Sequence, residues 1–204
     1  MSLEGKALSF GYRRKDRAVL DRVNLTLKPG ERLGLTAPSG RGKTTLCKLL
    51  AGYEKPKEGE VLLDGRPLAH GLGYCPVQMI WQHPETVVDP LMKLGDTLAE
   101  GWPVEQRVLD GLHIEPGWLE RYPTELSGGE LQRFCIARAL GPATRFLLCD
   151  EISTMLDLIT QAQIWNFLLE EAARRELGLL IVSHTPALLE RLCTRTQPLD
   201  PSPV

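Results

Sequence analysis

The residues best suited to chemistry in this chain cluster in a short glycine-rich stretch, Ala37-Pro38-Ser39-Gly40-Arg41-Gly42-Lys43-Thr44-Thr45. Apolar Leu33 and Leu35 lead into it, and Leu46, Leu49 and Leu50 follow at helical spacing, so a strand feeds a loop that feeds a helix. That order sets a row of backbone N–H groups and a helix N-terminus at one spot, where phosphate oxygens are favoured. Gly40 and Gly42 let the backbone approach an anion without a Cβ in the way. Lys43 can reach β- and γ-phosphates, and the Thr44 hydroxyl suits a magnesium ion, so the loop reads as a cradle for a nucleoside triphosphate. The pattern G-x-x-x-x-G-K-[ST] is broken at its first position, which is Ala37. An alanine there costs about 1–2 kcal/mol if the position needs positive φ, and nothing at negative φ. Taken alone, the same residues also describe a Gly/Ser turn carrying a surface lysine.

A second anion-friendly stretch is Leu126-Ser127-Gly128-Gly129-Glu130, where Ser127 is a natural N-cap and Leu131, Phe134, Cys135, Arg138 and Ala139 continue at helical spacing to Gly141-Pro142. By itself, Ser-Gly-Gly is ordinary capping. Two apolar runs then read as strands buried on both faces: Phe146-Leu147-Leu148-Cys149 ends in Asp150-Glu151, and Leu179-Leu180-Ile181-Val182 ends in Ser183-His184. In open parallel sheets ligands bind beyond the carboxyl ends of the strands, so the cradle, the carboxylate pair and the histidine are expected to converge on one crevice. Asp150 is then placed to hold a metal, and Glu151 to polarise an attacking water. The plainer alternatives are capping of the next helix by the carboxylates and a satisfied core histidine.

The elements that position these groups follow from patterning. The segment 3–12 mixes apolar and polar residues as an edge strand does, and Arg13-Arg14-Lys15-Asp16-Arg17 reads as an exposed turn. Val23, Leu25 and Leu27 alternate with polar residues and stop at Pro29-Gly30. Gly52 suits the C-terminus of the helix after the cradle. Val61-Leu62-Leu63 runs into an Asp64-Gly65 turn. From Gln82 the composition turns to Pro, Gly, Trp and short helical patterns, which predicts an inserted, modestly packed helical lobe. Leu158, Ala162, Trp165, Leu168, Leu169 and Ala172 form the core stripe of a crossover helix. After a short helix at 186–192, the Pro-rich end reads as disordered.

The bulk composition bounds the rest. The chain has 204 residues, 24 Lys plus Arg against 26 Asp plus Glu, and a net charge of −2, so no basic surface points to nucleic acid. No apolar run approaches the ~18–20 residues of a membrane span, and no signal-peptide core opens the chain, so a soluble, cytoplasmic location is expected. Five cysteines without a C-x-x-C pair read as small core residues.

Across nearly its whole length the chain resembles the nucleotide-binding subunit of ABC transporters. Ala37 to Thr45 resembles the Walker A loop, Leu126 to Glu130 the LSGGQ signature, and Phe146 to Glu151 the Walker B strand with its catalytic glutamate. Gln82 matches the Q-loop, Thr154-Met155-Leu156-Asp157 the D-loop, His184 the switch histidine, and Tyr12 the aromatic that stacks on adenine. The resemblance implies an α/β P-loop NTPase fold of the ABC ATPase type with a mixed sheet core. Its RecA-like core would cover about 1–82 and 133–193, its helical lobe about 83–132, and a disordered tail 194–204. It implies a Mg-dependent ATPase with Glu151, His184 and Gln82 catalytic and Thr44, Gln82 and Asp150 at the metal. ATP would be held by Tyr12, Ser39, Gly40, Arg41, Gly42, Lys43, Thr44, Thr45 and Asp157, and by Ser127, Gly128 and Gly129 reaching across a head-to-tail pair.

A finer resemblance, in Gln82-His83-Pro84-Glu85-Thr86-Val87-Val88-Asp89-Pro90 and Asp157-Leu158-Ile159-Thr160-Gln161-Ala162-Gln163, is to the oligopeptide, dipeptide and nickel importer branch. That implies a homologous ATPase subunit as partner, in a homo- or heterodimer. It also implies integral-membrane permease subunits, a solute-binding protein outside the membrane acting indirectly, and no nucleic acid. The location implied is cytoplasmic, peripheral on the inner face of the cell membrane. Glu130, His83 and Ile152 depart from the family's glutamine, aspartate and proline. Trp81, Trp102 and Trp118 either line a groove for a membrane partner's coupling helix or pack the lobe. The rival reading is a soluble ABC ATPase of translation or DNA repair, or a non-hydrolysing regulatory partner. Against it stand a single cassette, no heptad run between Gln82 and Leu126, and the retention of Glu151 and His184.

Overall fold

A computed structural model describes residues 1–12, 18–68, 74–154 and 156–199. The expected turn at 13–17, Met155 of the D-loop stretch and the last five residues of the expected tail lie outside the described residues. In chain order the elements are β1 (Leu3–Phe10), β2 (Leu20–Leu27), β3 (Arg32–Thr36), α1 (Lys43–Leu50), β4 (Glu58–Leu63), β5 (Arg66–Pro67), β6 (Val77–Ile80), α2 (Leu94–Ala99) and α3 (Gln106–Gly111). There follow α4 (Gly128–Ala139), β7 (Phe146–Asp150), α5 (Leu158–Arg175), β8 (Gly178–Val182), α6 (Pro186–Leu192) and β9 (Arg195–Pro198), with short 3-10 turns in the lobe.

The strands divide into two sheets. An antiparallel sheet has the order β2-β1-β4-β5 and a wholly parallel one the order β6-β7-β8-β3-β9, so the mixture of pairing is shared out between sheets. β1 is not the edge strand its composition suggested, since it pairs with β2 on one side and β4 on the other. Leu3, Leu8 and Phe10 are buried while Lys6 is exposed. An antiparallel strand with one solvated face alternates in this way whether it is central or marginal.

The parallel sheet buries both faces. Phe146, Leu148, Leu180 and Val182 pack with Leu33, Leu35, α1 and the antiparallel sheet, whereas Leu147, Cys149, Leu179 and Ile181 pack with α4 and α5. This is why β7 and β8 read as continuous apolar runs. α1 stops as its sequence predicts: Gly52 adopts φ 79°, with N–H bonds from Gly52 to the Leu49 carbonyl (3.0 Å) and from Tyr53 to the Lys48 carbonyl (2.9 Å).

The lobe is more tightly integrated than expected. Val88, Leu94, Leu98, Val108, Leu112, Ile114 and Trp118 share one buried cluster with Phe134, Leu147 and Leu168, so it has no core of its own. A Cβ on Gly111 would lie 2.1 Å from the Phe167 ring, which shows how directly α3 sits on α5. The boundary expected between 132 and 133 falls inside α4, a continuous helix shared by lobe and core. In α5 the buried stripe is Ile164, Trp165, Phe167, Leu168, Glu171 and Ala172, beginning nearly two turns later than expected, with Ala162 exposed. Leu158 is 81% exposed because the first turn projects past the core.

The tail expectation is overturned for 194–199. β9 pairs in parallel with β3, and the Leu199 N–H donates to the Thr36 carbonyl at 2.8 Å. The β3 edge needs partners for its backbone groups, and Leu199 is buried against the α1 side of the sheet, so these contacts outweigh the proline-rich composition. Pro198 sits at the last strand position, where a missing N–H is tolerated. Among the described residues, no helix is long and apolar enough to cross a membrane, and the five cysteines are free thiols.

Glu171, fully buried, is the polar exception in the α5 stripe. Its Oε1 accepts from Arg107 Nε (2.8 Å) and Arg174 Nε (3.1 Å), and its Oε2 from Arg174 Nη2 and Arg175 Nε (both 2.8 Å). Burial pushes its carboxyl up, but hydrogen bonds from Arg174 and Arg107 and the nearby arginine charges outweigh that and hold the pKa at about 2. Because the folded value is depressed below the ordinary 4.5, the stabilisation is full above about pH 4.5 and is lost as pH falls toward 2. It amounts to something on the order of 3 kcal/mol. Urea unfolding at a series of pH values should show this acid loss in the wild type, and a flatter profile in Glu171→Gln.

Candidate functional site

Parallel pairing brings β6, β7, β8 and β3 to one edge as neighbours, and each hands the chain to a polar group there: Gln82 after β6, Asp150 and Glu151 at β7, Ser183-His184 after β8, and the glycine-rich loop after β3. The three endings anticipated from sequence do converge. The fourth, after the short β6, goes beyond the three expected endings and brings Gln82 to the same edge. Its signal was there in Val77, Met79 and Ile80, a four-residue buried strand preceded by Pro76.

The loop is shaped by glycine where shape requires it. Gly40 has φ 74°, and Gly42, the N-cap of α1, has φ 84°. A Cβ on Gly42 would lie 2.8 Å from Leu20 Cδ2, so both conformation and space exclude a side chain. Ala37 lies outside the left-handed region, so the departure from the glycine pattern costs no strain. Ser39, Gly40, Arg41 and Thr44 are exposed along the loop and the start of α1. Lys43, only 5% exposed, turns back into the loop, its Nζ donating to the Ala37 (2.9 Å) and Pro38 (3.1 Å) carbonyls. Thr45 Oγ1 lies 3.1 Å from the Tyr12 hydroxyl, and the Tyr12 ring is 58% exposed beside the loop, edge-on to Phe10.

The carboxylate pair splits into two environments. Asp150 is 2% exposed; burial raises its pKa, the Thr44 hydroxyl hydrogen bond opposes this, and the charge of Glu151 adds to the rise. Among the described residues its buried Oδ1 has no hydrogen-bond partner. An orphaned carboxylate oxygen beside a hydroxyl is an oxygen donor set that fits a magnesium ion. Among the described residues no cluster of three His, Cys, Asp or Glu side chains could hold a metal ion.

Glu151 has φ 52°, a left-handed conformation that strains a non-glycine residue by about 1–3 kcal/mol. It is held there by its N–H to the Val182 carbonyl (3.1 Å) and by the Thr154 hydroxyl donating to its own carbonyl (3.1 Å). The turn aims its carboxylate between two partners: His184 Nε2 lies 2.5 Å from Oε1, and Gln82 Nε2 donates to Oε2 at 3.2 Å. Gln132 of α4 in turn donates to the Trp81 carbonyl at 3.2 Å, fixing the chain just before Gln82. A cleft of about 500 Å³ opens at this edge between the loop and the His184 turn, lined by Thr36, Ala37, Pro38, Ser183, His184 and Leu199 among others.

Ser127, Gly128, Gly129 and Asp157 do not join that cleft within the chain. They line a second one of about 420 Å³ with Glu130, Arg133, Leu156 and Thr160. Ser127 N-caps α4 in a reciprocal box: its N–H and hydroxyl donate to Glu130 Oε2 (both 2.7 Å), and the Glu130 N–H donates to its Oγ (3.3 Å). The glutamate thus preserves the helix start. Asp157 caps α5 by accepting from the Ile159 and Thr160 N–H groups at 3.0 Å. Ile152 is a buried packing residue, and His83 lies at the surface beside Glu85. The three tryptophans face separate neighbours, Trp81 against Tyr53, Trp102 against Tyr74 and Gly141, and Trp118 against Phe134.

The chain is similar to known proteins over most of its length. A family profile described as ABC transporter matches residues 20–154. The nickel import ATP-binding protein NikE of Rhodospirillum rubrum is 34% identical over 96% of this chain and 77% of its own length. NikE of Escherichia coli K12 is 33% identical over 94% and 78%. A solved structure titled as the ATP-binding subunit of an ABC transporter superposes with TM-score 0.84 at 25% identity, covering 98% of this chain and 86% of that one. A dimeric ATP-binding cassette bound to ADP and Pi shares the fold, with TM-score 0.81 at 24% identity, covering 97% and 94%.

Since Ala37 sits at negative φ, Ala37→Gly should leave ATP affinity within twofold of wild type by equilibrium titration. It should lower stability by about 0.4–1 kcal/mol in urea through the freer unfolded chain.

Proposed function

Because the chain belongs to the ABC transporter family, we propose that it is the ATP-binding and ATP-hydrolysing subunit that energises an importer, with Mg-ATP in the crevice at the parallel-sheet edge. The observation that carries this is the meeting of Lys43, Asp150, Glu151, Gln82 and His184 at the ends of four adjacent strands. The backbone N–H groups of the loop and the α1 N-terminus receive the phosphates. Lys43 exchanges the Ala37 and Pro38 carbonyls, its present partners, for phosphate oxygens. The exposed Tyr12 ring offers a flat face for the adenine. Thr44, Asp150 and Gln82 would hold a magnesium ion, which when bound would supply positive charge to offset the negative charge of the triphosphate.

Glu151 carries the acid–base step. Its carboxylate leaves the bonds to His184 and Gln82, accepts a hydrogen bond from the attacking water, and takes up the proton as the water oxygen bonds to the γ-phosphorus while the bond from that phosphorus to the β,γ-bridging oxygen breaks, giving ADP and inorganic phosphate. His184, freed from Glu151 Oε1, can donate to the γ-phosphate. Ser127, Gly128, Gly129 and Asp157 serve the nucleotide of a homologous subunit paired head to tail, which accounts for their sitting in a cleft apart from the chain's own loop.

The relatives are named for nickel import, so a nickel-type solute is our reading, with peptides the wider class. Permease subunits in the membrane are the partners and the chain lies peripherally on them. A translation or repair ATPase is not favoured by those relatives, and a non-hydrolysing partner would not need Glu151 in so constrained a turn.

Glu151→Gln should lower steady-state ATP turnover about 10²-fold or more while leaving nucleotide affinity within a few-fold, measured by phosphate release and by titration; unchanged turnover would remove Glu151 from the mechanism. For the transport role, tagging the chain in its source cell and solubilising membranes in mild detergent should recover two integral-membrane proteins and a second ATPase by mass spectrometry. Deletion should lower cellular nickel accumulation. Recovery of ribosomal or repair proteins instead would overturn the importer assignment.

A further inference from the structure

α4 and α5 share one buried cluster and meet at both ends. At one end their N-termini share the cleft containing Ser127, Gly128, Gly129 and Asp157. At the other, Arg175 Nη1 donates to the last carbonyls of the α4 end, Leu140 (3.0 Å) and Gly141 (3.3 Å). Leu140 is the C-cap of α4 and Gly141 follows it, its carbonyl also accepting from the Thr144 N–H (3.1 Å), and a cation there complements the helix dipole. Arg175 is in turn aimed by Glu171 through Nε (2.8 Å) and by Glu105 through Nη2 (3.3 Å), and the same Glu171 carboxylate takes Arg107 from the end of the lobe. All four acceptor positions of Glu171 are used, and the group is fully buried. Each helix gives a rigid span of roughly 20 Å between this knot and the cleft. A shift of α4 along α5 at the knot must therefore reappear at Ser127.

We infer that Glu171 is a positioning residue for the signature end of α4. By holding Arg175 on the α4 C-terminal carbonyls and Arg107 on the lobe, it sets the register of α4 against α5, and with it the placement of Ser127–Gly129 beside Asp157. Glu171 lies far along α5 from Asp157 and takes no part in the crevice of Lys43, Asp150 and Glu151. Its effect should therefore fall on the step that engages a second subunit and not on nucleotide capture. The inference rests on the proposed role of Ser127–Gly129 in serving the partner subunit's nucleotide.

The test uses the full chain in a Glu151→Gln background. Dimerisation driven by Mg-ATP is followed by sedimentation velocity, with ATP affinity of the monomer measured separately, at a temperature where circular dichroism shows every variant folded. Arg175→Lys keeps the charge but loses the fork that reaches both Glu171 and the carbonyls. It should raise the ATP concentration needed for dimerisation about tenfold while monomer affinity stays within twofold. Glu171→Gln should do the same, and Glu171→Asp should restore part of the loss; if the glutamine variant fails to fold, Arg175→Lys decides. Gly128→Asp is the control for the underlying reading: among the described residues, apart from its chain neighbours and its own helix backbone, no atom lies within 4 Å of its added Cβ, and it places a carboxylate where the partner's phosphate is expected. If Gly128→Asp abolishes dimerisation and Arg175→Lys leaves it unchanged, the positioning role is overturned alone. If neither variant changes dimerisation, the reading of Ser127–Gly129 is overturned and this inference with it. A parallel loss of monomer affinity in Arg175→Lys would also overturn it, because the knot would then be acting on the whole fold.

Discussion

Parallel pairing in one sheet is the constraint on which everything else depends. Hydrogen bonds between β7 and β8, and between β8 and β3, can be satisfied in parallel only if all three strands point the same way, so their carboxyl ends share an edge. Each return path must then cross a face of the sheet, and α1 and α5 fill those faces. Because both faces are covered, Phe146 to Cys149 and Leu179 to Val182 must be apolar throughout. Polar side chains can appear only where the strands stop, so the packing demand and the location of the chemistry have a single origin.

Within that edge the groups restrain one another. Lys43 is folded onto loop carbonyls, Glu151 is held between His184 and Gln82, and Asp150 is buried with an oxygen unpaired among the described residues. Two of these arrangements are closed by protein atoms that a triphosphate or a water would displace, and the third leaves a buried carboxylate oxygen that a cation would satisfy. The left-handed turn at Glu151 is tolerated because the strand pairing immediately before it fixes Asp150 opposite Val182.

The second cleft follows a different logic. Its residues come from two helix starts, Ser127 on α4 and Asp157 on α5, and both side chains are already used in capping. The exposed groups there are backbone and glycine, oriented by whatever holds the two helices in register. That task falls to buried contacts of the α5 stripe, to Gly111 against Phe167, and to the arginine knot on Glu171. The lobe and the core thus behave as one packed body around α4 and α5.

Local chemistry decided much of this before folding is considered. Gly40-Arg41-Gly42-Lys43-Thr44 between a strand and a helix defines its own loop. Ser127 with Glu130 three residues on defines a capped helix, and buried runs ending in Asp150-Glu151 and Ser183-His184 name their own strand ends. These are short-range patterns set by backbone sterics, capping and hydrophobic period, and they appear wherever the sequence does. Only the tertiary structure decided matters that depend on a neighbour distant in the chain. β1 became central because β4 pairs with its second side. Arg195 to Pro198 became a strand because β3 had an open edge, although the prolines around it suggested disorder. Leu158 faced solvent because α5 overhangs the core. Ala37 escaped strain because the loop holds it at negative φ, and Glu171 stayed ionised inside the protein because arginines from two helices reach it. In each case a partner, and not the residue itself, set the outcome.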